Sequence, residues 1–355
     1  MKDITFRIKW LEKVKTKDLV LFTRELSTLT NAGLSLIKSL VSLRDQLPAG
    51  LLREVLTEVI EGVERGESFS ESLGRFPKVF PRMYVNMVKS GEASGTVDAI
   101  LKRLALLLEK QEKLKKKVQA ALVYPAFVMS IACIIVGGLM VFVVPTFTAM
   151  FDDLGGELPG PTKLLIAMSD TIAGFWWLII ILIVGAIFGA GYAHKNKKVK
   201  YAIDLCALRC PGVGMLVQRV AISRFARSVG TLLQSGVPIL QTLTIVQEMT
   251  DNEVYAQCVP LIINAVKEGE GLSKVIEETG HFPNVMIKMV HVGEETGQLP
   301  QMLEKVAETY DEDIDGMVLA LSSLMEPVLI IVLGLIVGFI VIAMFLPLFN
   351  ITELL

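Results

Sequence analysis

Two short turns carry the residues best suited to chemistry in this chain: Lys89-Ser-Gly-Glu-Ala-Ser-Gly95 and His291-Val-Gly-Glu-Glu-Thr-Gly297. In each, a carboxylate (Glu92 or Glu294) follows one glycine (Gly91 or Gly293) and precedes another (Gly95 or Gly297). Such a carboxylate has three uses. It can cap the turn at the N-terminus of the helix that follows, where the helix dipole favours negative charge. It can meet a partner. With Asp98 or Glu295 it can offer oxygen ligands to a hard cation such as Ca²⁺, although two acids make a sparse ligand set.

Other chemistry lacks its residues. There is no GxxxxGK[ST] loop to cradle phosphate and no HExxH, and the three histidines are His194, His281 and His291. Gly91-Glu92-Ala93-Ser94-Gly95 places its serine one position late for a nucleophile elbow, and Ser35-Leu36-Ile37-Lys38 fits SxxK without the accompanying motifs. Cys133, Cys206, Cys210 and Cys258 form no CxxC and no metal-spaced cluster, so they read as inert thiols. The expectation is a protein without catalytic residues, metal or cofactor.

The elements that position these turns are helices and membrane spans. Of 355 residues, 52% are apolar and 20% charged, with 35 Lys+Arg against 37 Asp+Glu. That composition excludes disorder, and its near-neutral charge gives no support for nucleic-acid binding. Three stretches, 118–151, 171–193 and 327–352, contain no Asp, Glu, Lys, Arg or His. About 20 apolar residues cross a bilayer core as a helix, so each is expected to span the membrane. An ionisable residue inside a span would suggest a transport path, and the nearest approach to one is Glu326, at the inner edge of the third. The Lys-rich start, residues 1–19, lacks the apolar run of a cleavable signal peptide.

Lys and Arg near span ends set orientation. Lys110, Lys113, Lys115, Lys116 and Lys117 precede the first run, and Lys195, Lys197, Lys198 and Lys200 follow the second. The connection between those two runs has Lys163 alone, against Asp152, Asp153, Glu157 and Asp170, and the tail has no basic residue. Both large segments are therefore expected in the cytoplasm, with the short loop and the C-terminus outside. The same lysine clusters suit anionic lipid. Residues 1–118 carry 22 basic and 15 acidic side chains (net +7), and residues 194–320 carry 12 and 16 (net −4), so the two segments could attract each other or oppositely charged partners.

The chain also repeats itself. At an offset of 203, Phe22, Arg24, Thr28, Leu29, Gly33, Leu40, Gly66 and Ser70 match Phe225, Arg227, Thr231, Leu232, Gly236, Leu243, Gly269 and Ser273. At 202, Phe80, Met87, Val88, Gly91, Glu92, Gly95, Leu101 and Ala105 match Phe282, Met289, Val290, Gly293, Glu294, Gly297, Leu303 and Ala307. The register continues into the membrane, where Pro125 and Pro145 match Pro327 and Pro347. Each repeat is a soluble domain followed by a span, and two direct repeats that both cross outward need one return crossing, supplied by 171–193.

Within a repeat the apolar spacing reads as helix: Leu19, Phe22, Leu26 and Leu29 in the first, with later helices stopped by Gly33, Pro48, Gly66 and Gly91. Ser68 with Glu71 forms a capping box. Nothing between Thr96 and Tyr124 breaks the last helix, so it is expected to run on into the span. Pro125 and Pro327 predict kinks or hinges there, and Gly137-Gly138 and Gly334/Gly338 allow close helix approach. The fold class is an all-α membrane protein: two homologous cytoplasmic bundles of about six helices and three transmembrane helices. Its parts are an N-terminal segment 1–18, domain 19–117, span 118–147, external loop 148–170, span 171–193, domain 194–320 (repeating from about 222), span 321–349 and tail 350–355.

FTRELSTLTNAG, FPRMYVNMVKSGEASG, ALVYPA and VVPTF in the first repeat, with FARSVGTLLQSGVP, FPNVMIKMVHVGEETG, EPVL and FLPLF in the second, make the chain resemble the inner-membrane platform proteins of type II secretion systems and type IV pili, the secretion F family. The resemblance runs from about Lys17 onward; members of that family often begin some tens of residues earlier. It implies a non-enzymatic scaffold that couples a cytoplasmic hexameric ATPase to insertion of pilin or pseudopilin subunits, beside other inner-membrane assembly proteins and further copies of itself. It also implies functional roles for Gly91, Glu92, Gly95, Gly293, Glu294 and Gly297, and transmission through Pro125 and Pro327. A transporter or channel subunit is the alternative, but direct and mostly soluble repeats weigh against it.

Overall fold

The offsets of 203 and 202 residues reappear in the backbone as repeated helix boundaries. The computed structural model describes residues 14–147, 159–193 and 196–352. The first repeat comprises α1 (Thr16–Asn31), α2 (Leu36–Gln46), α3 (Leu51–Glu64), α4 (Phe69–Gly74), α5 (Arg82–Ser94) and α6 (Val97–Gly138). After α7 (Gly160–Ala193) and α8 (Lys197–Arg209) comes the second: α9 (Val213–Gln234), α10 (Ile239–Met249), α11 (Glu253–Lys267), α12 (Leu272–Glu278), α13 (Asn284–Thr296) and α14 (Leu299–Thr352). Helices α2/α10 and α4/α12 share the larger offset and α5/α13 and α6/α14 the smaller, so the slip falls in the loop before α5. No strand occurs among the described residues. The acids Asp152, Asp153 and Glu157, the pair His194-Lys195, and residues 1–13 and 353–355 lie outside them.

Two compact units result. One comprises the described residues up to Lys116 together with Asp204–Ile314; the other comprises Lys117–Ile203 and the residues from Asp315 on. In the first unit the repeat-matched phenylalanines meet. Phe22 lies 6.2 Å from Phe80 and Phe225 lies 5.4 Å from Phe282, between ring centroids. Each pair recruits a tyrosine from a different helix, Tyr84 of α5 in the first repeat and Tyr255 of α11 in the second. The spacing of Leu19, Phe22 and Leu26 puts all three inside. The threonines sharing that face are satisfied locally: Thr23 donates to the Leu19 carbonyl at 2.7 Å and Thr30 to that of Leu26 at 3.0 Å.

In the second unit, helices over Val97–Phe147 and Leu299–Leu346 hold stretches long and apolar enough to cross a membrane, and α7 holds the uncharged run 171–193. Large apolar side chains stand outward on them, with Ile134, Phe142 and Leu335 about 70% exposed, as lipid-facing residues require. α7 begins at Gly160, ahead of its uncharged run, because Pro161 fits the first helical turn. The α6 helix departs from α geometry not at Pro125 but at a π turn, Leu139–Val143. Pro145, which has no N–H to give, stands one residue beyond it, after Val144. The turn sends the Val144 N–H back to the Leu139 carbonyl. This frees the Met140 carbonyl, which accepts the buried Ser169 hydroxyl of α7. Thr162 of α7 donates in the same way to the Ala343 carbonyl of α14 at 2.5 Å. Around these bonds Met140, Val144, Leu165, Ile340 and Ala343 form a small core. α14 likewise continues through Pro327. A Cβ at Gly137, Gly138, Gly334 or Gly338 would meet nothing within 4 Å, so among the described residues these glycines mediate no close helix crossing.

Candidate functional site

The two Gly-Glu turns are helix corners, built alike. α5 does not stop at Gly91. It runs on to Ser94 and ends at Gly95, whose φ of 69° is left-handed; Gly297 repeats this at 67°. The Thr96 N–H closes the corner on the Gly91 carbonyl at 2.8 Å, and the Gln298 N–H on that of Gly293 at 2.9 Å, a Schellman ending that needs glycine at the reversal. The buried Gly91 and Gly293 serve a different need. A Cβ at Gly91 would lie 3.1 Å from the Val97 Cα and 2.9 Å from the Ile100 side chain, and one at Gly293 would lie 2.8 Å from the Leu299 Cα. The first turns of α6 and α14 therefore pack directly on the backbone of α5 and α13.

Glu92 and Glu294 cap a helix, but not the one their position suggests. Both half-buried carboxylates reach back to the short helix earlier in the repeat. Glu92 accepts from Phe69 N at 2.6 Å, from Ser70 N at 3.1 Å and from the Ser70 hydroxyl. Glu294 accepts from Leu272 N and, at 2.9 Å, from Ser273 N. Side chains on a helix lean toward its N-terminus, so a glutamate on the last turn of α5 points away from the start of α6 and across to α4. The corner thus joins three helices: glycine brings α6 onto α5, and glutamate ties α5 to α4.

Asp98 and Glu295 do not join this cluster. Asp98 is exposed in the first turn of α6, and Glu295 pairs at 3.3 Å with His291, also exposed. Among the described residues no group of three His, Cys, Asp or Glu could hold a metal ion. Burial pushes the Cys258 thiol up, away from a reactive thiolate. It also pushes the Tyr255 hydroxyl up to about 12 and raises Tyr84, whose hydroxyl lies 3.3 Å from that of Thr23.

Sequence matching finds Arg24 and Arg227 but misses their partners. Arg227 is almost fully buried and binds Asp311 at 2.6 Å, and Ser223 donates to the other oxygen of that carboxylate at 2.6 Å. Arg24 faces Glu109 at 3.7 Å in a far more exposed setting. Glu109 and Asp311 are themselves related by the 202 offset, so a search for acids recurring at that spacing finds both. The first and last helices of each bundle are thereby pinned together.

The two repeats also touch within the first unit, head to tail. Arg82 pairs with Glu248 at 2.6 Å, Gln241 donates to Asn86 at 3.0 Å, Ser90 donates to the Ser235 carbonyl at 2.8 Å, and Arg103 donates to that of Gln234. Lys110 lies 4.0 Å from Glu304. In the second unit Lys117 binds Asp315 at 2.5 Å. In each of these ion pairs the cation comes from the first repeat and the acid from the second, the polarity that the +7 and −4 segments lead one to expect.

A duplicated helical bundle, with each copy ending in an apolar helix of membrane length, defines a membrane-anchored repeat protein. The chain belongs to the family described as Type II secretion system (T2SS), protein F, which matches it twice, over residues 22–145 and 225–347. Both matches begin at a repeated phenylalanine and end at a repeated proline. The chain is 35% identical over 337 residues to Type IV pilus assembly protein PilC of Myxococcus xanthus, covering 95% of this chain and 81% of that one. It is 39% identical over 336 residues to PilC of Thermus thermophilus (94% and 82%). To Type II secretion system protein F of Pseudomonas aeruginosa it is 33% identical over 348 residues (98% and 86%).

Proposed function

We propose that this protein is the non-enzymatic inner-membrane platform of a type IV pilus or type II secretion machine, and that it couples a cytoplasmic hexameric ATPase to the assembly of pilin or pseudopilin subunits. One observation carries the reading: in each repeat a single helix, α6 or α14, continues from the helical bundle into an apolar stretch of membrane length. A continuous helix transmits displacement, whereas a flexible linker would dissipate it. The names of the relatives, pilus assembly and type II secretion, support the same role.

In this reading both bundles and the N-terminus lie in the cytoplasm of a bacterium, the chain crosses the inner membrane three times, and its C-terminus is periplasmic. The ATPase binds the bundles, while pilin subunits, other inner-membrane assembly proteins and further copies of the chain gather around the spans. The corners at Gly91, Glu92, Gly95, Gly293, Glu294 and Gly297 set the direction in which each bundle passes force to α6 or α14, and Pro125 and Pro327 are compliant points at the bilayer surface. Capture of the partner ATPase by the full-length protein in detergent, with no ATP turnover by the protein alone, is the expected result. Loss of the gene abolishes fibre assembly or secretion, and Glu92→Gln/Glu294→Gln impairs it while insertion into the membrane continues. Intrinsic turnover, or fibres assembled normally without the protein, refutes the proposal.

A further inference from the structure

Among the described residues, one face of α8 packs on the protein and the opposite face does not. The Asp204 carboxylate accepts from Glu253 N at 2.7 Å at the start of α11, and Leu208 packs against the core of the first unit. A Cβ at Gly214 would run into the Leu208 carbonyl, so the 116° corner between α8 and α9 is tightly closed and fixes which way α8 faces. On the other side Val199 and Ile203 are 41% and 49% exposed, and Cys206 is exposed as well. At about 100° per residue, Val199, Ile203 and Cys206 fall within about 40° of one line, with Asp204 and Leu208 roughly opposite. The cations stand on the shoulders of this stripe: Lys200 about 100° to one side, Lys198 and Arg209 about 80–100° to the other.

A helix face turned to water carries its charges along the middle. Here the middle is apolar and positive charges flank it on both sides, the arrangement with which a helix lies in a bilayer interface, stems buried and ammonium groups at the phosphates. In the chain, α8 follows almost directly on the uncharged run that ends α7. We propose that α8 is an in-plane interfacial helix, held on the anionic cytoplasmic leaflet by Val199, Ile203 and Cys206 with Lys198, Lys200 and Arg209. The inference rests on α7 being a membrane crossing.

The test uses the full chain in phosphatidylglycerol-containing vesicles, with Cys133, Cys210 and Cys258 replaced by alanine and a nitroxide label on Cys206. Labels on Glu58→Cys and Ile181→Cys, each with Cys206 also removed, report water and membrane. The Cys206 label should favour collisions with oxygen over a water-soluble nickel chelate severalfold more than the Glu58→Cys label does. That preference should fall when phosphatidylcholine replaces the anionic lipid, or in Lys198→Glu/Lys200→Glu/Arg209→Glu. Chelate access equal to that of the Glu58→Cys label overturns the proposal. So does shielding from both reagents, which would mean that protein, not lipid, covers the face. If the Ile181→Cys label is also open to the chelate, the crossing itself is wrong and both readings fall together.

Discussion

The capping glutamates make unequal demands on the two repeats, and the difference can be measured. In α4, Glu92 satisfies the first two backbone N–H groups and Ser68 accepts from the third, Glu71 N, at 3.2 Å. In α12 the residue equivalent to Ser68 is Gly271, which has no side chain to offer, so Glu294 is the only side-chain cap on that helix. A hydrogen bond to a charged group contributes about 1.5–3 kcal/mol. Glu294→Ala removes two, and because the carboxylate is half exposed, water recovers part of the loss. A net cost of about 2–3 kcal/mol for local opening follows, which raises amide exchange about 30- to 150-fold. Hydrogen exchange on the full-length protein in detergent, followed by mass spectrometry of peptides across 267–280, reads this directly. Glu92→Ala should raise exchange across 66–76 less, because Ser68 remains. Gly271→Ser should recover part of the loss, since its Cβ would sit 3.7 Å from the Glu294 carboxylate in the parent, ordinary contact distance, and a serine cap contributes about 1 kcal/mol. No change in α12 would refute the argument that these carboxylates act as caps, and equal sensitivity of α4 and α12 would refute the backing role of Ser68.

Four further outcomes follow from the same geometry. Asp311→Ala leaves Arg227 buried and unpaired and should cost about 3–5 kcal/mol, whereas Glu109→Ala in the exposed counterpart should cost about 1 kcal/mol or less; denaturant melts of the two variants test the contrast. Gly91→Ala and Gly293→Ala force a Cβ into the start of α6 or α14 and should each destabilise by about 1–3 kcal/mol, read as a lower melting temperature. Lys117→Asp should weaken the protein and Asp315→Lys on top of it should restore stability, with a coupling of about 1 kcal/mol in a double-mutant cycle. Burial raises Tyr84 and Tyr255 above the ordinary tyrosine value of about 10. Their contribution to stability is therefore complete below pH 10 and is lost as pH rises from there toward 12; Tyr84→Phe should flatten that alkaline decline in a melting-temperature profile.

Much of this architecture is written locally, and some of it is not. Matching phenylalanines, glycines and prolines locate both bundles, because a residue required by a helix end or an aromatic contact is required again wherever the same bundle is built. Gly95 and Gly297 are legible for that reason: the left-handed reversal they permit depends on a single residue. The destination of Glu92 is not legible in the same way. Spacing places it just before α6 and invites the assignment to that helix, yet its partner is the start of α4, more than twenty residues earlier. Only the direction in which helical side chains lean, together with the packing of α5 beside α4, decides between the two. The break in α6 is a further case. Pro125 and Pro145 look alike as sequence, and the π turn falls next to Pro145, where Ser169 on another helix satisfies the carbonyl that the turn releases. A distortion settles where its orphaned polar group finds a donor, and in a membrane, where water cannot supply one, that donor is a property of the neighbouring helix.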